Sequence, residues 1–161
     1  MPLLRPTRVV GVFLLAGAAW IPLSDRFVEF FLDDMTALPA RLCILDDEAA
    51  IRRQLVNFLE DFDEFSLLVA ESAEQALKLL ERTPADLAVV DIRLPGVHGL
   101  EFIAQAAARG LCRHFLLHTG SLNMALTPEL AALGLTPEDI FHKPADLIAM
   151  LARIRALLFG P

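Results

Sequence analysis

Four places in this chain carry side chains suited to handling a divalent cation and an anion together: Asp46-Asp47, Asp91, Thr119 and Lys143. Asp46-Asp47 follows Leu42-Cys43-Ile44-Leu45, Asp91 follows Leu87-Ala88-Val89-Val90, Lys143 comes shortly after Ile140-Phe141, and Thr119 sits in His118-Thr119-Gly120. Ligands of open α/β sheets bind outside the carboxyl ends of the strands, so charge placed just past several apolar runs predicts one assembled pocket. Bare carboxylates crowded there would repel. Two unit charges about 4 Å apart interact by about 4 kcal/mol at an effective dielectric of about 20, so the cluster must take up a proton or a cation. Oxygen donors with room left for water suit Mg2+ better than zinc, which prefers nitrogen and sulfur. A carboxylate neutralised in this way can act as a nucleophile toward phosphorus, because the ion also screens the incoming phosphoryl group. Lys143 would give the phosphoryl oxygens a second positive charge, Thr119 would offer a hydroxyl to another oxygen, and Gly120 would keep the approach open.

The elements that must position these residues are readable from Arg41 onward, where strand-like and helix-like patterns alternate without a long linker. That alternation predicts a parallel sheet with crossover helices. Strands are expected at Leu42–Leu45, Leu67–Ala70, Leu87–Val90, Phe115–Leu117 and Ile140–His142. Between them Ile51, Leu55, Phe58 and Leu59 recur at helical spacing, and Ser72 with Gln75 forms a capping box ahead of Ala76, Leu77 and Leu80. Pro84 closes that unit. A Pro95-Gly96 turn precedes a helix from about Leu100 to Arg109 that stops at Gly110. Thr127 caps a helix with Pro128 at its first position, running to Gly134. A last helix covers Ala145 to Phe159. The two Leu-Thr-Pro-Glu stretches, at Leu126 and Leu135, are too closely spaced for a solenoid repeat and read as two helix-start or turn signals.

Composition bounds the class. A chain of 161 residues that is 55% apolar and 22% charged suits one globular domain with a real core. Its net charge of -7 disfavours nucleic acid, whose phosphates call for a basic face. Cys43 and Cys112 lie far apart within apolar runs, without zinc or disulfide spacing, and read as buried reduced thiols. Residues 1–40 form a separate N-terminal extension. There Val9 to Leu23 is uncharged and largely apolar after Arg5 and Arg8, but it is shorter than the roughly 20 residues a spanning helix needs and is broken by Pro22 and two glycines. Three readings stay open, in descending order: translation starting at Met35, a peripheral N-terminal helix that touches a membrane, and a spanning anchor.

Taken together, residues 41–161 resemble the receiver domain of bacterial two-component response regulators. The resemblance rests on Leu45-Asp46-Asp47-Glu48, on Asp91-Ile92-Arg93-Leu94-Pro95-Gly96 with Gly99, on Thr119-Gly120 and on Lys143-Pro144, and it covers about three quarters of the chain. It implies a doubly wound, flavodoxin-like α/β fold of five parallel strands in order 2-1-3-4-5. It also implies that Asp91 is the phosphoacceptor, that Mg2+ is held directly by Asp47 and Asp91, through water by Asp46 and by the carbonyl of Arg93, and that Thr119 and Lys143 read the phosphoryl group. The Lys143-Pro144 bond is often cis in this family. One departure stands out: the family commonly has an aromatic residue three positions before the lysine, where this chain has Ile140. Phe141 is next to it, but side chains on a strand alternate faces. Ala145 likewise replaces the phenylalanine usual after Pro144.

The functional expectation is a cytoplasmic, stand-alone phosphorelay protein rather than an enzyme. It takes a phosphoryl group from a histidine kinase or histidine phosphotransfer protein and signals through a downstream protein partner. Two alternatives are an aspartyl-phosphate phosphohydrolase, against which Arg93 occupies the place of the second aspartate such enzymes use, and a degenerate binding module on the same fold. Among the other residues, His98 reads as a solvent-facing loop residue, and His114 and His118 as core or edge histidines sharing one strand face. The last helix is apolar over more than the stripe of about 100° that one buried face needs. That width suits either a deep core or a surface for a partner or a second copy.

Overall fold

The computed structural model describes residues 38–160, together with the backbone of two short strands, Phe13–Ala16 and Ala19–Pro22. The chain divides into two units, Met1–Leu38 and Pro39–Pro161. In the first, the two strands pair antiparallel with Phe13 opposite Pro22 and Ala16 opposite Ala19. The eight positions they cover are therefore extended rather than helical, unlike the peripheral helix that was the second of the three readings of this stretch. The rest of Val9–Leu23, and Met35, lie outside the described residues. Among the described residues no helix is long and apolar enough to cross a membrane.

The second unit is a parallel sheet flanked by helices. Its strands are β1 (Ala40–Leu45), β2 (Phe65–Ala70), β3 (Ala85–Val90), β4 (Cys112–Thr119) and β5 (Ile140–His142), in the spatial order β2-β1-β3-β4-β5. The helices are α1 (Ala49–Leu59), α2 (Ala73–Arg82), α3 (Gly99–Ala108), α4 (Pro128–Ala132) and α5 (Leu147–Phe159), with a 3-10 turn at Pro137–Asp139 before β5. The expected fold and strand order hold. Most strands start earlier than their apolar runs suggest, because the first residues of β1 and β2 include exposed positions such as Arg41 and Ser66.

Strand alternation sorts the core into two layers. Cys43, Leu45, Ala88, Val90, Phe115 and Leu117 face α2, α3 and α4, whose Ala76, Leu80, Phe102, Ile103 and Leu130 complete that layer. Leu42, Ile44, Leu87, Val89 and Leu116 face the other way, onto Leu55 and Leu59 of α1 and Met150, Leu151 and Ile154 of α5. Sheet strands buried on both faces read as unbroken apolar runs, which is why β1 and β3 were visible as such.

Local signals behave with two adjustments. Ser72 Oγ accepts from the Gln75 amide at 3.2 Å, but the Gln75 side chain accepts from the Glu71 amide at 2.8 Å rather than from the Ser72 amide, so the capping box is shifted by one residue. The last helix starts at Leu147, two residues later than expected, because the Asp146 carboxylate caps the Ile148 and Ala149 amides at 2.9 and 3.1 Å. α5 is fastened on both flanks. Arg153 Nε donates to the buried Asp139 carboxylate at 2.8 Å and Nη2 to Thr136 Oγ1 at 3.2 Å. Arg155 Nε donates to Glu64 at 2.6 Å, with its guanidinium 5.1 Å over the Phe62 ring. The outer surface of α5 keeps Ile148 and Phe159 exposed, at 67% and 59%, so this helix is both core and surface.

Candidate functional site

The sheet's own hydrogen bonds carry the functional residues to their positions. The Asp46 amide donates to the Ala70 carbonyl at 3.3 Å, the Asp91 amide to the Leu45 carbonyl at 2.8 Å and the Lys143 amide to the Thr119 carbonyl at 2.8 Å. Asp46 and Asp91 therefore come to adjacent strand ends, nearly sealed from solvent at 1% and 3% exposure. Lys143 starts from β5, two strands from β3. Strands lie about 4.8 Å apart, so its side chain must cross the end of β4 to reach Asp91, and it does: Nζ donates to Asp91 Oδ2 at 2.8 Å and to Glu48 Oε1 at 3.1 Å. The same nitrogen lies 2.8 Å from Asp46 Oδ2 as an ion pair. That contact falls outside hydrogen-bond geometry, leaving Oδ2 a buried acceptor without a donor.

Each remaining carboxylate oxygen is oriented from its own loop. Asp46 Oδ1 accepts from the Glu48 amide and Asp91 Oδ1 from the Arg93 amide, both at 2.9 Å. These are turns in which an aspartate bonds the backbone two residues on. Arg52 of α1 supports the first turn by donating to the Asp46 carbonyl at 2.6 Å. The second depends on Gly99, the first residue of α3, whose amide donates to the Ile92 carbonyl at 3.2 Å. A Cβ there would collide with the Asp91 carbonyl oxygen and come within 2.8 Å of Ile92 Cα. Only glycine lets α3 begin this close to the acceptor's backbone.

Electrostatics follow from burial and pairing. Burial holds the Asp46 carboxyl above the usual range, opposed by Lys143 and the Glu48 amide. Burial would lower the Lys143 ammonium, but its contacts to Asp46, Asp91 and Glu48 outweigh that and hold it above the usual lysine range. His118, only 4% exposed, is pushed down to about 4 by burial and then by the Lys143 charge. Its Nδ1 has no hydrogen-bond partner. The Cys43 and Cys112 thiols are free, buried and pushed up to about 12, mainly by burial. They are inert core residues.

The structure brings together Asp46, Asp91, Lys143 and, through the β4–β5 ladder, Thr119. Thr119 is fully buried, and its Oγ1 accepts from the Ser121 amide at 3.1 Å. It also adds Glu48, whose carboxylate oxygen lies within 4.8 Å of those of Asp46 and Asp91. Glu48 heads α1 yet makes no side-chain cap bond there; its carboxylate turns to Lys143 instead. Its one mark in the sequence is its place as the third acid of Asp46-Asp47-Glu48, with no sign of which of them would face inward. Asp47, expected as a metal ligand, is exposed and lines a neighbouring cleft of about 760 Å³ with Arg93, Pro95 and His98. Among the described residues it makes no ion pair. The donor set fits a hard cation: all donors are carboxylate oxygens that converge within 4.8 Å, and those of Asp46 and Asp91 are buried. Ile140 packs with the layer of α2 to α4 and Phe141 with the layer of α1 and α5. Phe141 therefore cannot stand in for an aromatic at position 140. The Lys143-Pro144 peptide is cis. His98 is exposed, His114 half-buried and His118 buried.

Comparison with known proteins agrees with this geometry. Residues 42–155 match the Response regulator receiver domain family. Response regulator MprA of Mycobacterium sp. (strain KMS) is 31% identical over 121 residues, covering 75% of this chain and 51% of the relative. The transcriptional regulatory protein FixJ of Azorhizobium caulinodans is 33% identical over 117 residues, covering 71% of this chain and 53% of the relative. The chain thus spans about half the length of the curated relatives it matches. Among solved structures, the chemotaxis response regulator CheY4 of Vibrio cholerae superposes with a TM-score of 0.61 at 21% identity, covering 74% of this chain and 99% of that one. A CheY-like receiver domain protein from Methanospirillum hungatei gives 0.59 at 25% identity, covering 74% and 94%. With its sheet order, its strand-end acids and lysine, and its sequence over residues 42–155 all in agreement, this chain belongs to the response regulator receiver domain family of two-component systems.

Proposed function

We propose that this protein takes a phosphoryl group onto Asp91 from the phosphohistidine of a histidine kinase or histidine phosphotransfer protein and passes the signal to a protein partner in the cytoplasm. In the transfer a carboxylate oxygen of Asp91 forms a bond to phosphorus as the phosphorus–nitrogen bond of the donor breaks, and the imidazole leaves with the electron pair. The observation that carries this reading is Lys143 Nζ held 2.8 Å from both Asp46 Oδ2 and Asp91 Oδ2 at two adjacent strand ends. An ammonium anchored there meets charge on the incoming phosphoryl oxygens without moving far. Asp46, Asp47 and Asp91, with the carbonyl of Arg93, would hold Mg2+, which supplies charge neutralisation for the transfer. Thr119 would give its hydroxyl to a phosphoryl oxygen. Arg93, which is exposed, stands where a phosphohydrolase working through an aspartyl phosphate would need its second aspartate, which favours phosphoryl acceptance over that second reading. Phosphorylation acts by favouring one of two conformations, which a partner then distinguishes.

Incubation with acetyl phosphate and Mg2+ followed by intact mass tests the reading. The expected result is one added phosphoryl group on the wild type and none on Asp91→Asn. An unmodified wild type, or equal labelling of the variant, overturns it.

A further inference from the structure

Thr119 does not end its hydrogen bonding at the site. Its Oγ1 accepts from the Ser121 amide at 3.1 Å, and the carbonyl of the same Ser121 lies 3.0 Å from His142 Nδ1. A carbonyl only accepts, so Nδ1 must carry the proton and donate. The result is a continuous chain from a fully buried hydroxyl at the end of β4, through one residue of the β4–α4 loop, to an exposed imidazole on β5, the edge strand. The sheet fixes both ends: Thr119 and His142 are register partners, Leu117 pairs with Ile140, and the Lys143 amide bonds the Thr119 carbonyl. Ile140 itself has no polar atom to join such a chain.

We propose that His142 is a positioning residue for Thr119, holding the hydroxyl in its resting orientation through Ser121, and that this link reports phosphorylation at the edge of the sheet. The proposal rests on the receiver reading above. Once Asp91 carries a phosphoryl group, the Thr119 hydroxyl that turns to donate to it withdraws Oγ1 from the Ser121 amide. Ser121 then loses the bond that holds its amide, its backbone is free to rotate, and its carbonyl, which belongs to the next peptide unit, leaves His142. Two neutral hydrogen bonds are exchanged for one to an anion, and charge-assisted bonds are roughly twice as strong. The exchange is close to balanced, which a two-way device requires. The side chain released at the surface is His142 rather than an aromatic at position 140.

The test uses the full chain with acetyl phosphate and Mg2+, followed by 15N NMR of the Ser121 amide and the His142 ring, alongside labelling rates by intact mass. Labelling is expected to shift both signals together. His142→Ala removes one restraining hydrogen bond, so labelling is expected to accelerate by about 2- to 10-fold, the range a single net hydrogen bond sets. His142→Asn, whose amide can still donate to the Ser121 carbonyl, is expected to restore the wild-type rate. If the wild type labels while the Ser121 and His142 signals stay fixed, or if Ala and Asn behave alike, the positioning role is overturned and the receiver reading survives. A wild type that takes no phosphoryl group overturns both, and the mass spectrum alone shows it.

Discussion

The amide of Lys143 donates to the carbonyl of Thr119 at 2.8 Å, so the residue whose ammonium meets Asp91 and the buried threonine that ends the neighbouring strand share one backbone link. Neither can shift along the strand direction without the other. The two side chains leave from opposite faces of the sheet: Lys143 continues the Phe141 face and Thr119 the Leu117 face.

Replacing Lys143 with Met keeps the length of the stem and removes the charge. With no ammonium meeting the transferred oxygens, phosphoryl uptake is expected to fall by about 100- to 1000-fold, the loss typical when one preorganised electrostatic donor is removed. Labelling with acetyl phosphate at saturating Mg2+ measures it. A rate within threefold of wild type would show that Lys143 only neutralises the resting acids.

His118 makes stability depend on acid. Its folded pKa of about 4 lies below the unfolded value of 6.5, so its contribution is complete above pH 6.5 and is lost as pH falls toward 4, where the unfolded chain binds the proton and the folded one does not. At pH 5.0 that loss is about 2 kcal/mol. Urea unfolding of His118→Leu should therefore lose less stability than wild type between pH 7.5 and 5.0. Because the variant also removes a buried nitrogen without a partner, it should be no less stable at pH 7.5. Parallel curves for the two proteins across that range would refute the assignment.

Much of this was legible beforehand. Leu42–Leu45 and Leu87–Val90 announce buried parallel strands, and the acids that follow them announce the site, because a sheet covered on both faces leaves polar residues only at its strand ends. What stayed hidden was set by single turns. Glu48 faces Lys143 because Asp46 Oδ1 binds the Glu48 amide, and two consecutive acids look alike until that turn is formed. The His142 link was hidden for a similar reason: it depends on where the Ser121 peptide points. Thr127 and Thr136 read as starts of similar elements, and the structure makes one an α-helical turn and the other a 3-10 turn.

The three acids of the first loop should separate in a Mg2+ titration followed by thermal unfolding. A ligand at about 100 times its dissociation constant stabilises by about 2.7 kcal/mol, or about 5–10 °C for a chain of this size. Glu48 is held by Lys143 at 3.1 Å, whereas Asp47 is exposed and unpaired among the described residues, so Asp47 is the one at liberty to turn to an ion. Asp47→Asn is expected to abolish most of the Mg2+ shift and Glu48→Gln to preserve most of it. The reverse order would make Glu48 the ligand.

Gly99→Ala forces a methyl group against the backbone of Asp91 and Ile92. Backbone cannot step aside as a side chain can, so the start of α3 must move. A loss of about 1–3 kcal/mol in urea unfolding is expected, with slower labelling of Asp91 because its Arg93 turn moves with the loop. Normal stability with normal labelling would mean the loop is more compliant than the contact implies.

The paired clamps on α5 carry a last consequence. Arg153 ties the helix to the turn before β5, and Arg155 ties it to the loop between α1 and β2. A helix pinned at two points on opposite flanks moves with its surroundings or not at all. Ile148 and Phe159, eleven residues and about 16 Å apart along the axis, are therefore carried by a helix that is braced to the turn before β5 on one flank and to the α1–β2 loop on the other.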